Sequence, residues 1–407
     1  MNLLRLALSN LRFHWLASLF NLVVLALGVA MIVTLMRLGD QLADRFSRDL
    51  AGIDLVVGAK GSPLQLILSS VFHLDSPTGN IPLEDAETLS RNPLIEKAIP
   101  ISLGDNFQGF QIVGTTSDYP ALYGATLQEG GLWAKPMQAV LGAGVARETG
   151  LGIGATFVGS HGLTVGGEEH AAFPYRVVGI LAPTGGVIDR LILADVASVW
   201  KVHEHPDPDS PDEVAVASAH GGEMPKEVTA LLITYRTPLA AVSLPRLVNS
   251  STAMQAASPA FETARLMKLL GAGGDAFRAF GVLLMVIAGV GFFVTLFNAV
   301  NGQRYDIALM RSLGATRRNL LGFVLAEGLM LAVLGTGLGL LLGHAFDWIA
   351  RAWIAASRQM LLTPVPLGTD ELLVAAAALI IGFLSALLPA AMAYRTDVAR
   401  VLSRGSA

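Results

Sequence analysis

Eight histidines are the chain's main store of side chains able to carry a proton or a metal ion. His73, His161, His170, His203, His205 and His220 all lie in the middle of the chain. The run H-E-H-P-D-P-D at 203–209 puts His203 and His205 beside carboxylates, a set chemically adequate for zinc or nickel. Acidic, proline-rich runs of this kind are equally at home as solvated surface loops. No metal is therefore assigned, and His203 and His205 stand as the candidate ligands. The chain has no cysteine, which excludes disulfides, thiolate metal sites and cysteine nucleophiles. A nucleotide-hydrolysing site needs G-x-x-x-x-G-K-[ST], because backbone amides, a lysine and a magnesium-binding hydroxyl must converge on the phosphates. That string is missing, as are G-x-S-x-G and H-E-x-x-H. VVGAKGSPLQ at 56–65 is the nearest glycine-rich basic stretch, and it reads as a turn around a solvated Lys60. With a net charge of -4 and no dense basic patch, nucleic acid is not an expected partner. The chain is not expected to be an enzyme.

The elements that carry these residues are uneven in composition. Hydrophobic residues make up 53% of the chain and charged residues only 15%, against about 25% in soluble domains. The apolar residues gather at the two ends. Leu16–Met36 is uncharged and, at about 1.5 Å per residue, crosses a ~30 Å hydrocarbon core; it is too long for the apolar region of a cleaved signal peptide. Phe277–Val300, Leu320–Phe346 and Leu372–Ala393 are three further spans. Short loops bearing Arg304, Arg311, Arg317 and Arg318, together with Arg5, Arg12, Arg395, Arg400 and Arg404 near the termini, fall on one side, which the positive-inside rule makes cytoplasmic. The expected fold is thus an α-helical membrane protein with four transmembrane helices and a large α+β extracytoplasmic domain between helices 1 and 2, in a bacterial inner membrane with both termini cytoplasmic. The divisions are an interfacial helix at 1–15, spans at 16–38, 275–300, 320–346 and 371–393, the outer domain at 39–274, a cytoplasmic loop at 301–319, a short outer loop at 347–370 and a cytoplasmic tail at 394–407. Within the outer domain, Phe110–Gly114, Tyr175–Leu181, Leu191–Leu193 and Ala230–Tyr235 read as strands, and Leu83–Arg91, Leu239–Ala256 and Ser258–Leu270 as helices. Its flanks, 39–50 and 258–270, continue helically toward the spans as a two-helix stalk.

The most informative segment is NGQRYDIALMRSLGATRRNLLGFVLAEGL at 301–329. Ile307, Met310, Arg311 and Gly314 recur at helical spacing, and Gly314 offers a left-handed cap before Thr316 restarts a helix. Arg304, Ile307, Ala308, Arg311, Leu313, Gly314 and Ala315, with Leu320 in the last apolar place, fill a pattern that resembles the cytoplasmic loop of FtsX/MacB/LolC-type ABC permeases. Further matches are Leu3, Ala7, Leu8, Asn10 and Leu11 near the start, Gly335, Gly337, Gly339 and Gly343 in the third span, and Pro389, Ala393, Arg395, Val398 and Leu402 near the end. The resemblance implies mechanotransmission by a permease dimer, either homodimer or heterodimer, with a cytoplasmic ABC ATPase binding ATP and Mg in a separate subunit. It also implies that 301–319 is the coupling segment, with Arg304, Ile307, Met310, Arg311, Leu313, Gly314 and Ala315 at the ATPase contact.

Residues 58–82 do not match the lipoprotein-releasing or cell-division branches of that family, which leaves the substrate open. Within them, LQLILSSVF at 64–72 reads either as core or as an apolar patch for a lipid or hydrophobic substrate. Glu327, near the cytoplasmic end of the third span, reads as a packing or snorkelling residue, with a coupling or proton-handling role as the alternative that makes it a candidate functional residue. The expected function is export or extraction of a periplasmic or outer-leaflet substrate, driven by the partner ATPase. Membrane lipid and a periplasmic adaptor or substrate-binding protein are the other expected partners. Two rival readings remain: a regulatory scaffold that passes motion to a periplasmic enzyme or partner, and a metal-related transport component.

Overall fold

A computed structural model describes residues 15–50, 52–162, 170–203, 225–302, 304–312, 314–358 and 368–395. The described chain divides into a helical unit, holding residues through Leu42, Leu269–Ile354 and those from 368 on, and a second unit, Ala43–Lys268. The elements run α1 (Trp15–Asp49), β1 (Leu55–Ala59), α2 (Pro63–Ser70), β2 (Ile81–Pro82), α3 (Leu83–Ser90), β3 (Ile95–Phe107), β4 (Phe110–Thr115), α4 (Tyr119–Leu122), β5 (Leu127–Gly130), β6 (Gln138–Leu141) and α5 (Ala143–Thr149). They continue as β7 (Thr156–Phe157), β8 (Ser160–His161), β9 (Tyr175–Leu181), β10 (Ile192–Asp195), α6 (Val196–Val202), β11 (Glu227–Val228), β12 (Ala230–Tyr235), α7 (Ala240–Ser251), β13 (Met254–Ala257), α8 (Pro259–Gly302), α9 (Arg304–Ser312), α10 (Arg317–Arg358) and α11 (Thr369–Arg395).

Four of these helices, α1, α8, α10 and α11, are long and apolar enough to cross a membrane. Each is apolar on more than one side, so that Leu25, Val29, Phe292 and Leu331 fill the interior while Phe20, Val290, Leu341 and Leu384 face outward. Small residues let the helices approach closely, as bundles in lipid require. A Cβ on Gly335, Gly339 or Gly343 would meet Leu25, Val29 or Val33 of α1 at 2.6–3.0 Å, and one on Gly382 would meet Ala332 at 2.3 Å. α10 continues to Arg358, well past the expected end of the span at 346. Residues 1–14 lie outside the described residues.

The second unit is built on an eleven-stranded mixed sheet. Its strand path is β13-β1-β12-β3-β4-β10-β6-β9-β5, with β7 on β9 and β8 on β3. Among the described residues, only β4/β10 and β6/β9 pair in parallel. One core packs Leu55, Val57, Leu231 and Ile233 against Leu89 of α3 and Leu244 and Val248 of α7. A second packs Ile112, Leu141, Phe157, Tyr175 and Ile192 under Val145 of α5. Each such fully buried side chain contributes about 1.5–3 kcal/mol. The expected strands at Tyr175–Leu181 and Ala230–Tyr235 have those bounds, whereas the expected helix 239–256 ends at Ser251 and gives way to β13. The reason is tertiary: Met254–Ala257 pairs with β1, and sheet pairing overrides local helix preference.

Residues 58–82 have an internal logic. Val56 and Val57 lie in the buried strand β1, Lys60 is exposed in the turn that follows, Ser62 caps α2 and Pro63 occupies its first turn. Leu66, Ile67 and Val71 are fully buried, so the apolar face of 64–72 is core.

Candidate functional site

The segment joining the second and third long helices is a short helix, α9, closed by a paired cap. Gly314 takes φ +102°, its N–H donates to the Arg311 carbonyl at 3.1 Å, and the Ala315 N–H donates to the Met310 carbonyl at 3.0 Å. These two bonds satisfy carbonyls that the helix end would leave open, and the left-handed residue they need is glycine. Thr316 then opens α10, its hydroxyl accepting from the Asn319 N–H at 3.3 Å. Chain direction thus reverses within a few residues.

The faces of this helix are distinct. Ala308 is fully buried, and Met310 packs partly against a cluster of Leu296, Val300, Leu320 and Val324. Leu309 is 44% exposed, and Ser312, Gly314, Arg317 and Arg318 are exposed beside it. Arg311 and Ala315 are half-buried. Arg304 lies at the start of the helix and Ile307 in its second turn, whereas Leu313 lies outside the described residues. Leu309 is the exposed apolar side chain here, and the motif pattern did not single it out.

Glu327 is 3% exposed, within α10. Near the other end of the same helix lies a polar knot that sequence reading missed. Arg37 Nε is 3.2 Å from Asp347 Oδ2 and its Nη1 is 2.6 Å from Glu371 Oε1. Arg351 Nε is also 3.2 Å from Asp347 Oδ2, the Gln41 amide donates to Asp347 Oδ1 at 2.8 Å, and His344 lies 3.3 Å from Glu371. The side chains of Asp347 and Glu371 are 1% and 6% exposed, so two buried carboxylates are met by two guanidiniums across three helices. Removing one partner of such a network strands a buried charge.

The histidines separate into two groups. His73, in the left-handed region at φ 53°, is held between the Gln111 side-chain carbonyl at 3.0 Å and the Tyr119 hydroxyl at 3.2 Å. Burial pushes its pKa down to about 4. His203, by contrast, closes α6 and is drawn together with His161, His170 and Asp105, whose potential ligand atoms all lie within 4.8 Å of one another. The expected partner His205 lies outside the described residues. Asp105 was not singled out from the sequence, since nothing local distinguishes SLGDNF from any strand end.

Comparison with known proteins gives two family matches. Residues 18–235 match the MacB-like periplasmic core domain, and residues 278–398 match the FtsX-like permease C-terminal region. A pyoverdine export ATP-binding/permease protein, PvdT, of Pseudomonas putida is 24% identical over 96% of this chain and 57% of its own length. A macrolide export ATP-binding/permease protein, MacB 1/2, of Paracoccus denitrificans is 23% identical over 99% of this chain and 58% of its own. The chain thus spans just over half the length of these curated relatives. Among solved structures, the periplasmic region of MacB from Actinobacillus actinomycetemcomitans aligns with 53% of this chain and 95% of its own, at 14% identity and a TM-score of 0.33.

Proposed function

The chain belongs to the MacB/FtsX-type family of ABC transporter permeases, and from that premise we propose that it is the membrane subunit through which a partner ATPase moves an extracytoplasmic domain. ATP and Mg are bound by that partner. Both termini and α9 face the cytoplasm, in keeping with the arginines at 304, 311, 317 and 318. The observation that carries this reading is the paired cap at Gly314, which fixes a short helix between two spans and leaves Leu309, Arg317 and Arg318 outward as an apolar and cationic docking face. Helical connection is supported by α1 and α8, which run for 35 and 44 residues, α8 carrying Gly271, Gly273 and Gly274 within it. Two copies of the chain pair with two ATPase subunits, and the work done is export or extraction of an amphiphile at the outer face of the inner membrane. The relatives' names, pyoverdine export and macrolide export, support that substrate class.

The test is co-purification from detergent with the ATPase encoded beside this chain. Wild type retains the ATPase, and a Leu309→Glu, Leu313→Glu double variant loses it while keeping its own thermal stability. Equal retention by the variant would remove α9 from the contact.

A further inference from the structure

The geometry points to a binding site for a zinc-class divalent cation in the second unit, formed by Asp105, His161, His170 and His203. The inference is independent of the docking face of α9, because every ligand lies within Ala43–Lys268.

Four separate pieces of backbone deliver the ligands. Asp105 lies in β3 where the β3/β4 register slips between Leu103 and Asp105, and such a bulge re-aims the side chain that follows it. His161 is the direct cross-strand partner of Asp105, since β8 pairs with β3 at that position. The Asn106 amide donates to the Gly162 carbonyl at 3.0 Å and so ties down the β8 turn. His170 is anchored by its own N–H, which donates to the Gly159 carbonyl at 2.9 Å. His203 caps α6, its N–H shared between the Val199 and Trp200 carbonyls at 3.1 Å each.

The spacing is that of a coordination shell. Asp105 Oδ1 lies 3.2 Å from His170 Nε2, 3.2 Å from His203 Nε2 and 3.8 Å from His161 Nδ1. A tetrahedron with arms of about 2.05 Å, the usual zinc distance to nitrogen and oxygen, has edges of about 3.3 Å. The three rings meet edge to face, with centroids 5.2–5.9 Å apart, so their ring nitrogens converge without stacking.

Hydrogen bonding alone accounts poorly for the same arrangement. Three imidazoles crowd one oxygen, which offers about two lone pairs, while Asp105 Oδ2 is buried with no hydrogen-bond partner among the described residues. An orphaned oxygen on a carboxylate whose side chain is 1% exposed carries an uncompensated desolvation cost. A cation in the centre removes both difficulties: the imidazoles turn lone pairs inward, and the carboxylate is neutralised. Three imidazoles and one carboxylate suit Zn²⁺, Co²⁺ and Ni²⁺, rather than the all-oxygen shells of calcium and magnesium or the soft sulfur ligands that select cuprous ion.

The site is reachable. The side chains of His161, His203 and His170 are 60%, 34% and 19% exposed, and a cleft of about 210 Å³ lined by His161, His203, Trp200, Lys226 and Glu227 opens beside them. The ion is therefore an exchangeable one.

The experiment uses the full chain in detergent, with any purification tag removed and metal stripped by chelator. Zn²⁺ affinity is measured by competition with a chromophoric chelator, and Co²⁺ serves as a spectroscopic probe. Wild type takes up one equivalent of Zn²⁺ and gives the intense visible bands of tetrahedral Co²⁺, which zinc displaces. Asp105→Asn and His170→Ala weaken binding at least tenfold, the lower end of what losing even an outer partner of a metal ligand costs. His161→Ala, at an exposed position that leaves folding intact, abolishes the tetrahedral spectrum, whereas His73→Ala keeps one equivalent. No stoichiometric binding by wild type, an octahedral Co²⁺ spectrum, or unchanged affinity in His161→Ala and His170→Ala would each overturn the proposal.

Discussion

Two buried polar centres in this chain share one ingredient, a carboxylate ringed by nitrogen, and differ in what the nitrogen brings. In the helical unit, Asp347 and Glu371 face Arg37 and Arg351, whose guanidiniums are charged at every accessible pH, so the centre is neutralised by its own side chains. In the second unit, Asp105 faces three imidazoles, whose ring nitrogens are potential metal ligands. The first centre is complete as a structural element. The second is a ligand set around a carboxylate whose other oxygen has no hydrogen-bond partner among the described residues, and that difference marks one as a fastening between helices and the other as the proposed receptor.

The comparison breaks most visibly at Arg37. Arg37→Met strips Glu371 of its guanidinium and leaves Asp347 with Arg351 alone, and is expected to lower stability by about 3–5 kcal/mol, read as a loss of thermal stability in detergent. An Arg37→Met, Arg351→Met, Asp347→Leu, Glu371→Leu variant, which removes the four charges together, recovers most of that loss; a mild single variant would mean the knot is not structural. The Asp105 centre should respond instead to ligand. At Zn²⁺ a hundredfold above its dissociation constant, wild type gains about 2.7 kcal/mol by mass action, and Asp105→Asn gains almost nothing.

His73 sharpens the contrast, because its imidazole is held by an amide carbonyl and a phenol hydroxyl rather than by a carboxylate. Its folded pKa of about 4 lies below the unfolded value near 6.5, so the unfolded chain takes up a proton that the native one refuses. Stability is therefore undiminished above pH 6.5, falls as pH drops toward 4, and levels off below that, by about 3 kcal/mol in all. His73→Asn, which keeps the left-handed backbone, should flatten this slope in a pH series of chemical unfolding. Gly314→Ala places a Cβ at φ +102° and should cost about 1 kcal/mol, with a matching weakening of ATPase retention. The smallest effect belongs to the exposed Arg91–Glu87 pair, where Glu87→Gln should shift stability by less than about 0.5 kcal/mol.

What sequence could disclose follows the range of the interaction. The four long helices, the strands Tyr175–Leu181 and Ala230–Tyr235 and the cap at Gly314 rest on neighbours a few residues away, and periodicity or residue type reveals them. Asp105 meets His170 and His203 across separations of 65 and 98 residues, and Arg37 meets Asp347 and Glu371 across 310 and 334. No local pattern carries those pairings. His203 drew notice through the adjacent H-E-H run, whereas its described companions Asp105, His161 and His170 lie far from it along the chain. β13 was hidden for the same reason, its partner strand lying about 200 residues upstream.

The glycine ridge of α10 has a translational property. Gly335, Gly339 and Gly343 recur every four residues, and so do the side chains they receive on α1, Leu25, Val29 and Val33. Advance α10 along α1 by one such step, about 6 Å, and Gly335 meets Val29 while Gly339 meets Val33. Two of the three seats are refilled and only the end one is lost. Glycine spacing alone would admit a second register, and the buried Arg37–Asp347 and Gln41–Asp347 contacts between the same two helices select the present one.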